Sequence, residues 1–216
     1  MSQTISLKEL EGKAWRSVFQ DGMWDIYLGL LLVAMAANAL MSGSGLALDI
    51  RTGVFIGLEI VAMVILWAGK RFITLPRMGR VKFGKGRRSR KLWVTVIVGL
   101  CVLLGAVVFQ MGNSATFQSA LRNFFPALWA IGCMAFFSMG AYLLDFNRLY
   151  VIGVLYALPV PTDYLLDRLF GLDLSVLAFG IPGLAAVAIG LIVMARFMRE
   201  YPIPNVSGEV PDDSGA

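Results

Sequence analysis

The chain alternates between long apolar runs and short charged segments, a pattern typical of membrane-spanning helices. Two of the runs, Leu92–Leu121 and Leu174–Ala195, contain no charged residue at all. Runs of this kind match the roughly 20 helical residues that cross a hydrocarbon core. Six apolar segments are therefore predicted to be helical: Trp24–Ser42, Gly53–Gly69, Leu92–Gln110, Phe125–Leu144, Leu149–Pro161 and Leu174–Ala195.

The fifth segment, Leu149–Pro161, is shorter than the others and ends in Pro-x-Pro. It would cover only about two-thirds of a hydrocarbon core, as either a short span or a re-entrant segment. After it, Thr162–Phe170 is predicted to be a separate amphipathic helix on the outer side. The sequence thus predicts an all-α integral membrane protein with about six transmembrane helices, or alternatively five plus a re-entrant segment.

Composition supports this class and excludes several kinds of chemistry. Only 15% of the residues are charged, against about a quarter in soluble domains. The chain has no histidine, which excludes His-ligated zinc or haem, Ser-His and Cys-His nucleophiles and imidazole proton relays. Cys101 and Cys133 both fall in apolar segments and are predicted to be buried small residues. We expect no cofactor, no metal site and no catalytic residue.

The positive charges divide unevenly between the two sides of the membrane. With six spans and a cytoplasmic N-terminus, sixteen of the nineteen Lys/Arg residues face the inner side. If Leu149–Pro161 did not cross, Arg196 and Arg199 would move outside and fourteen would remain inside. The positive-inside rule therefore favours six spans in the plasma (inner) membrane, with both termini in the cytoplasm.

The same pattern divides the chain into five parts. The N-terminal part begins with a capping box at Ser6–Glu9. An apolar stripe over Leu7–Phe19 predicts that it forms an interfacial helix. The parts are a cytoplasmic amphipathic helix (1–23), a transmembrane hairpin (24–69), a basic cytoplasmic loop (70–91), transmembrane helices three to six (92–196) and a disordered acidic tail (197–216).

The basic loop, Lys70–Lys91, contains ten Lys/Arg and no acid. Its runs "RFITL" and "RVKF" are β-prone and flank a turn at "PRMG". Each cation near an anionic leaflet contributes about 1 kcal/mol, so we expect anionic lipid as the partner. Nucleic acid is not expected as a partner, because the loop starts and ends at spans and lies within reach of anionic lipid throughout. The predicted headgroup-binding residues are Arg77, Arg80, Lys82, Lys85, Arg87, Arg88, Arg90 and Lys91.

Two short motifs carry a resemblance. An F-x-D-G-x-x-D entry occupies Phe19–Asp25, and a P-R-x-G-x-V loop occupies Pro76–Val81. In these motifs the chain resembles a group of uncharacterised prokaryotic multi-pass membrane proteins. The resemblance covers about a third of the chain and implies no activity.

Glu59 is the most informative single residue, because it lies within the second predicted span. A charge at membrane depth costs about 2.5–3.5 kcal/mol on insertion scales, and such residues tend to face a bundle interior or a water-filled path. Counted from the outer ends of the two spans, Asn38 and Glu59 lie roughly 6 and 9 Å deep. We therefore expect Asn38 to hydrogen-bond a protonated Glu59, which serves either as interhelical glue or as a proton or cation site.

Two acidic pairs flank spans. Asp21 and Asp25 lie four residues apart at the first span and either cap that helix or hold a divalent cation. Asp163 and Asp167 form a second D-x-x-x-D on the opposite side, so the two pairs are not expected to share a metal.

Three functional hypotheses follow. The first is a non-enzymatic transport or channel-like component or a subunit of a larger membrane complex, because Glu59 has no catalytic constellation around it. The second is a membrane enzyme that acts on lipid headgroups or lipid-linked substrates through Asp21 and Asp25. The third is a scaffold or regulator whose acidic tail masks the basic loop. Other membrane subunits or a second copy are the expected protein partners.

Overall fold

The computed structural model describes residues 19–78, 115–171 and 173–202, which form helices joined by short turns, without a strand in these ranges. Five stretches of them are long and apolar enough to cross a membrane, which confirms the predicted all-helical membrane class. The helices are α1 (Met23–Ser42), α2 (Leu48–Gly69), α3 (Ala115–Leu144), α4 (Arg148–Ala157), α5 (Pro159–Phe170) and α6 (Ser175–Glu200).

Several predicted features lie outside the described residues and stay predictions. They are the N-terminal interfacial helix before Phe19, the third span Leu92–Gln110, the loop beyond Met78 and the acidic tail from Ile203 onward.

Helix α2 is longer at both ends than the sequence predicted. It begins at Leu48, and beyond Gly69 it continues through a π-helical turn, Lys70–Thr74, and a last α turn, Leu75–Met78. The run "RFITL" is therefore helical, and its prediction as a β-prone run was wrong. Tertiary contacts override local β propensity here, because Lys70 and Thr74 both bond to a side chain of α1, as described below.

The prediction of a short fifth segment that ends at Pro-x-Pro was also wrong. Only Leu158 separates α4 from α5, and the hydrogen bonds Leu158 N–H to Val154 O and Thr162 N–H to Leu158 O bridge the junction. Pro159 and Pro161 fall in the first turn of α5, where a helix needs no N–H donor. Arg148–Phe170 therefore forms one stretch of 23 residues that is long enough to cross, rather than a short span and a separate helix.

At the C-terminal side, α6 runs to Glu200. The predicted tail boundary at residue 197 was therefore too early, because Phe197 is a buried residue of this helix and is 2% exposed.

The helix contacts define two ends of the bundle. Asp25 of α1 pairs with Arg148 at the start of α4, and the α1 carbonyl of Leu28 bonds to Tyr156 further along α4, so these two helices run in the same direction. Helices α2, α3 and α6 run in the opposite direction. We call the end with the start of α1 the cluster end, because the buried charges described below lie there.

Helix α1 is the centre of the described structure, and it packs most extensively against α6. Glycines let the two backbones approach closely: a Cβ on Gly190 would lie 2.7 Å from Ile26 N and 2.9 Å from Gly22 O. A Cβ on Gly183 would likewise lie 2.9 Å from Val33 N. Small residues at such a contact allow the dense packing that holds helices together in lipid.

Helices α3 and α4 form a second packed pair. Phe137 of α3 fits against Gly153 and lies 4.8 Å, centroid to centroid, from Tyr156. A three-residue turn joins the pair, with Asp145 in the left-handed conformation at φ 54°. This turn places Arg148 at the cluster end, beside the start of α1.

The glycine packing gives the first testable prediction. Gly190→Ala should lower the free energy of unfolding by about 1–3 kcal/mol, because the added methyl group has to displace backbone atoms. Gly57→Ala is the matched control, since nothing lies within 4 Å of a Cβ at that helical position. Thermal unfolding in detergent measures both variants, and equal effects at the two positions would contradict the packing described here.

Candidate functional site

The start of α1 buries two carboxylates. The chain enters α1 through a turn in which Gly22 adopts the left-handed conformation, with φ 73°, directly against Gly190 of α6. Asp21 and Asp25, on either side of this entry, are 0% and 1% exposed. Buried carboxylates are costly unless other groups compensate the charge, so their partners determine what the site does.

Asp21 is fully engaged. Its Oδ2 accepts hydrogen bonds from Lys70 Nζ and Thr74 Oγ1, each at 2.6 Å, and both donors come from the end of α2. Its Oδ1 accepts the backbone N–H of Met23 at 3.2 Å. These bonds fix the end of α2 to the start of α1.

Asp25 has a different environment. Its Oδ2 lies 2.6 Å from Arg148 Nη1, a charge contact without hydrogen-bond geometry, and its Oδ1 has no hydrogen-bond partner within the described residues. The Arg148 guanidinium also donates to the carbonyl of Phe19 and lies 5.2 Å from the centroid of the Phe146 ring. Arg148 therefore joins α4 to the start of α1, while neither oxygen of Asp25 accepts a hydrogen bond within the described residues and only Oδ2 faces a positive charge.

We call Asp21, Asp25, Lys70, Thr74 and Arg148 the acid–base cluster. Its two acids and two bases balance in charge, and they come from three different helices. Capping alone does not describe it, although Asp21 does bond to the first turn of α1. The cluster offers a poor site for a divalent cation, because Lys70 and Thr74 occupy Asp21 Oδ2. In the described ranges, no three His, Cys, Asp or Glu side chains converge on a possible metal position.

The sequence pattern marks the two acids as candidates but does not predict Lys70, Thr74 and Arg148 as their partners. A signal was present: Lys70 is the first basic residue after the second span, and Arg148 the last before the fifth. Both residues also follow the positive-inside rule, so their charge has an explanation that involves no partner. Because alternate span ends meet on one side of a bundle, residues at those ends are candidates for pairing with Asp21 and Asp25.

Glu59 lies on the face of α2 that packs against α1. It precedes the buried residues Ala62 and Leu66 by three and seven positions, which places all three on one helical stripe. Its side chain is half-buried. Neither Arg51 nor any other described basic residue forms an ion pair with Glu59.

The expected hydrogen bond between Asn38 and Glu59 is not formed among the described residues. Helix α2 begins five residues earlier than the predicted Gly53, at Leu48, so Glu59 lies about 16 Å from that end of the helix. Asn38 lies about 6 Å from the adjoining end of α1 at Ser42. Glu59 is therefore near the middle of its span, at a different depth from Asn38.

Two tyrosines lie in electrostatic range of Glu59: Tyr27 from α1 and Tyr156 from α4. The Tyr156 hydroxyl donates a hydrogen bond to the Leu28 carbonyl at 2.7 Å. The backbone carbonyl of Tyr156 accepts a hydrogen bond from Trp129 Nε1 at 2.9 Å. Polar groups from four helices thus lie around the middle of the bundle.

Of the predicted headgroup-binding residues, the structure describes only Arg77. Its guanidinium donates to the Ile73 carbonyl, one turn earlier in the same helix, at 2.9 Å. The other seven, from Arg80 to Lys91, lie outside the described residues. Arg71 and Phe72 are exposed near the same end of α2, and the Phe72 ring packs edge-on against Trp67.

The second acidic pair lies at the opposite end of the bundle. The Ser175 hydroxyl oxygen lies 2.8 Å from Asp163 Oδ2 and 2.6 Å from Asp173 Oδ1, and its single proton is donated to one of them at a time. Hydrogen bonds from the Ser175 hydroxyl and backbone N–H lower the pKa of Asp173. These contacts connect the loop before α6 to α5 and leave the pair apart from the acid–base cluster.

The cluster gives the second prediction. Lys70→Met should lower the free energy of unfolding by about 3–5 kcal/mol, because it leaves the buried Asp21 carboxylate without its charge partner. Unfolding in detergent measures this loss. Arg71→Met, at the exposed neighbouring position, is the control, and Asp21→Asn/Lys70→Met should recover part of the loss. A loss for Arg71→Met as large as that for Lys70→Met would refute the role of the pair.

No protein-family model, no curated protein and no solved structure matches the chain. The functional proposal therefore rests on the geometry of the chain itself.

Proposed function

We propose that this protein is a non-enzymatic membrane component of the transport or channel-like type, in which Glu59 is a proton- or cation-binding site inside the bundle. It acts alone, with a second copy or as a subunit of a larger membrane complex. Its setting is the plasma (inner) membrane, with six spans and with the cluster end and both termini on the cytoplasmic side.

The observation that carries this proposal is the position of Glu59. It lies near the middle of a span, on the stripe that faces α1, and it has no cationic partner among the described residues. A carboxyl group at this depth costs about 2.5–3.5 kcal/mol on insertion scales. Structural glue would require a hydrogen-bonded partner, and Glu59 makes no side-chain hydrogen bond in the described part of the chain. An ion-binding role explains why the Glu59 carboxyl group lies at this depth without a hydrogen bond or an ion pair among the described residues.

The direction of the helices supports six crossings. Helix α2 ends at the cluster end, where Lys70 meets Asp21. Helix α3 ends at Leu144, beside the turn to Arg148, so its first residue, Ala115, lies at the opposite end. The predicted third span, Leu92–Gln110, would connect these two ends. With the five described stretches that are long enough to cross, the proposed total is six.

Aromatic and basic side chains support a lipid partner at the cluster end. Trp67 and Phe72 are 63% and 68% exposed, and Arg71 between them is also exposed. Trp is enriched where a span meets the headgroups, and Arg is attracted to anionic lipid at the cytoplasmic leaflet. We therefore retain anionic lipid contact through Arg77 and the seven cations that follow it as part of the proposal.

The other two hypotheses have less support. A lipid-headgroup enzyme would need Asp21 and Asp25 accessible to substrate, whereas both are buried and Asp21 is fully engaged. The scaffold hypothesis depends on the basic loop and the acidic tail, most of which lie outside the described residues.

The third prediction tests Glu59 directly. Glu59→Gln, reconstituted in vesicles, should lose flux of the transported ion, because the amide cannot take up or release a proton or neutralise a cation. Proton, Na⁺ and K⁺ flux are each measured with a trapped indicator dye. Glu200→Gln, at the end of α6, is the control and should behave as the wild type. Unchanged flux of every tested ion in Glu59→Gln would count against transport.

The fourth prediction tests the topology. In a background with Cys101 and Cys133 replaced by Ser, Ser2→Cys and Glu200→Cys should react with an impermeant maleimide only from the cytoplasmic side. Ser44→Cys, in the turn between α1 and α2, should react only from outside. Labelling of Ser2→Cys and Glu200→Cys from opposite sides would exclude six spans.

A further inference from the structure

We propose that the transported ion is the proton and that Asp25 is the second carboxyl group on its path, between Glu59 and the cluster end. This inference rests on the proposed function and adds the class of the ion and a second ion-handling residue. It starts from the contrast between the two buried acids at the start of α1.

Asp25 is a buried acid with unused capacity to accept a proton. Its side chain is 1% exposed, yet Oδ1 has no hydrogen-bond partner within the described residues. Asp21, by comparison, has both oxygens engaged, by Lys70 and Thr74 on one and by a backbone N–H on the other. A buried oxygen without a hydrogen-bond partner carries a desolvation cost, and a proton bound there relieves that cost.

A phenol group lies between the levels of Asp25 and Glu59 in the bundle. Gly69 of α2 lies against Met23, and this register places Glu59 about 12 Å along the bundle from Asp25. The Tyr156 hydroxyl donates to the carbonyl of Leu28, which follows Asp25 by three residues and lies on the same side of α1. Tyr156 is also in electrostatic range of Glu59. The Tyr156 phenol therefore lies between the levels of the two carboxyl groups.

The charges around Asp25 favour a proton over a metal cation. The charged groups near it are Asp21 at the start of α1, Lys70 from α2 and Arg148 from α4. Helix α6 adds the apolar residues Gly190 and Met194 at this level. A metal cation such as Ca²⁺ takes about six to eight oxygen ligands, and here it would meet two fixed positive charges. A proton requires only one oxygen, and Asp25 Oδ1 supplies it.

The transfer conserves atoms and charge. An O–H bond of the Glu59 carboxyl group breaks and leaves a carboxylate, while a new O–H bond forms at Asp25 Oδ1. The Tyr156 hydroxyl passes the proton on by donating its own proton as it accepts another. When Asp25 then releases its proton at the cluster end, its carboxylate again faces Arg148, and nothing is oxidised or reduced.

Proton flux in reconstituted vesicles tests the proposal, with a trapped pH-sensitive dye as the probe. Asp25→Asn should lose most of the flux, as Glu59→Gln does. Asp49→Asn is the matched control, because Asp49 lies in the first turn of α2 and is exposed. It should keep the wild-type flux.

A double variant separates proton acceptance from structural damage. Asp25→Asn/Arg148→Gln removes the unpaired buried base, so its unfolding temperature should rise above that of Asp25→Asn. It still lacks the accepting carboxylate, so proton flux should stay low. Recovery of flux together with stability would overturn the proposal, since Asp25 would then be only the structural partner of Arg148.

The outcomes distinguish this inference from the proposed function. If Glu59→Gln loses flux and Asp25→Asn keeps it, the second carboxyl group is refuted and transport through Glu59 stands. If the wild type carries Na⁺ or K⁺ and not protons, the ion class is refuted while the proposed function stands. If Glu59→Gln keeps all flux, the proposed function itself fails and this inference fails with it.

Discussion

The structure depends on the compensation of two buried carboxylates at the start of α1. A carboxylate in a low-dielectric interior is tolerated when a base faces it closely, so each acid brings a different helix to α1. Asp21 holds the end of α2 through Lys70 and Thr74, and Asp25 holds the start of α4 through Arg148. Glycine contacts then allow α6 to close against the same helix. Charge compensation thus determines which helices meet, and small residues determine how closely they pack.

This arrangement gives a physical meaning to the F-x-D-G-x-x-D entry. Asp21 and Asp25 are the two buried acids, and Gly22 adopts a left-handed conformation against the backbone of Gly190. The ring of Phe19 stacks on Phe146 at 5.3 Å, and its carbonyl accepts a hydrogen bond from Arg148. Each specified position of the motif therefore has a distinct contact, which explains the spacing without requiring a ligand.

Hydropathy alone predicted the helical class and the approximate position of each described span, because the cost of exposing polar backbone in lipid leaves few alternatives. It failed where tertiary contacts override local signals. "RFITL" is helical because Lys70 and Thr74 meet Asp21, and Pro159 does not end the stretch because it occupies a first turn. The acid–base cluster was not predictable from one segment, since its bases lie 45 or more residues from its acids in the chain. Glu59 was predictable as a single anomalous residue within a span, but its depth depended on where α2 begins.

The central claim is that Glu59 takes up and releases a proton within the bundle. Infrared difference spectroscopy of the protein in lipid bilayers, recorded across a pH titration, tests it without a transport assay. The account predicts that subtracting the Glu59→Gln spectra, which contain the bands of Asp25 and the other acids, from those of the wild type leaves a carbonyl band of a protonated carboxyl group that disappears as pH rises. An identical band in Glu59→Gln, or a Glu59 that stays protonated throughout the titration, would contradict it.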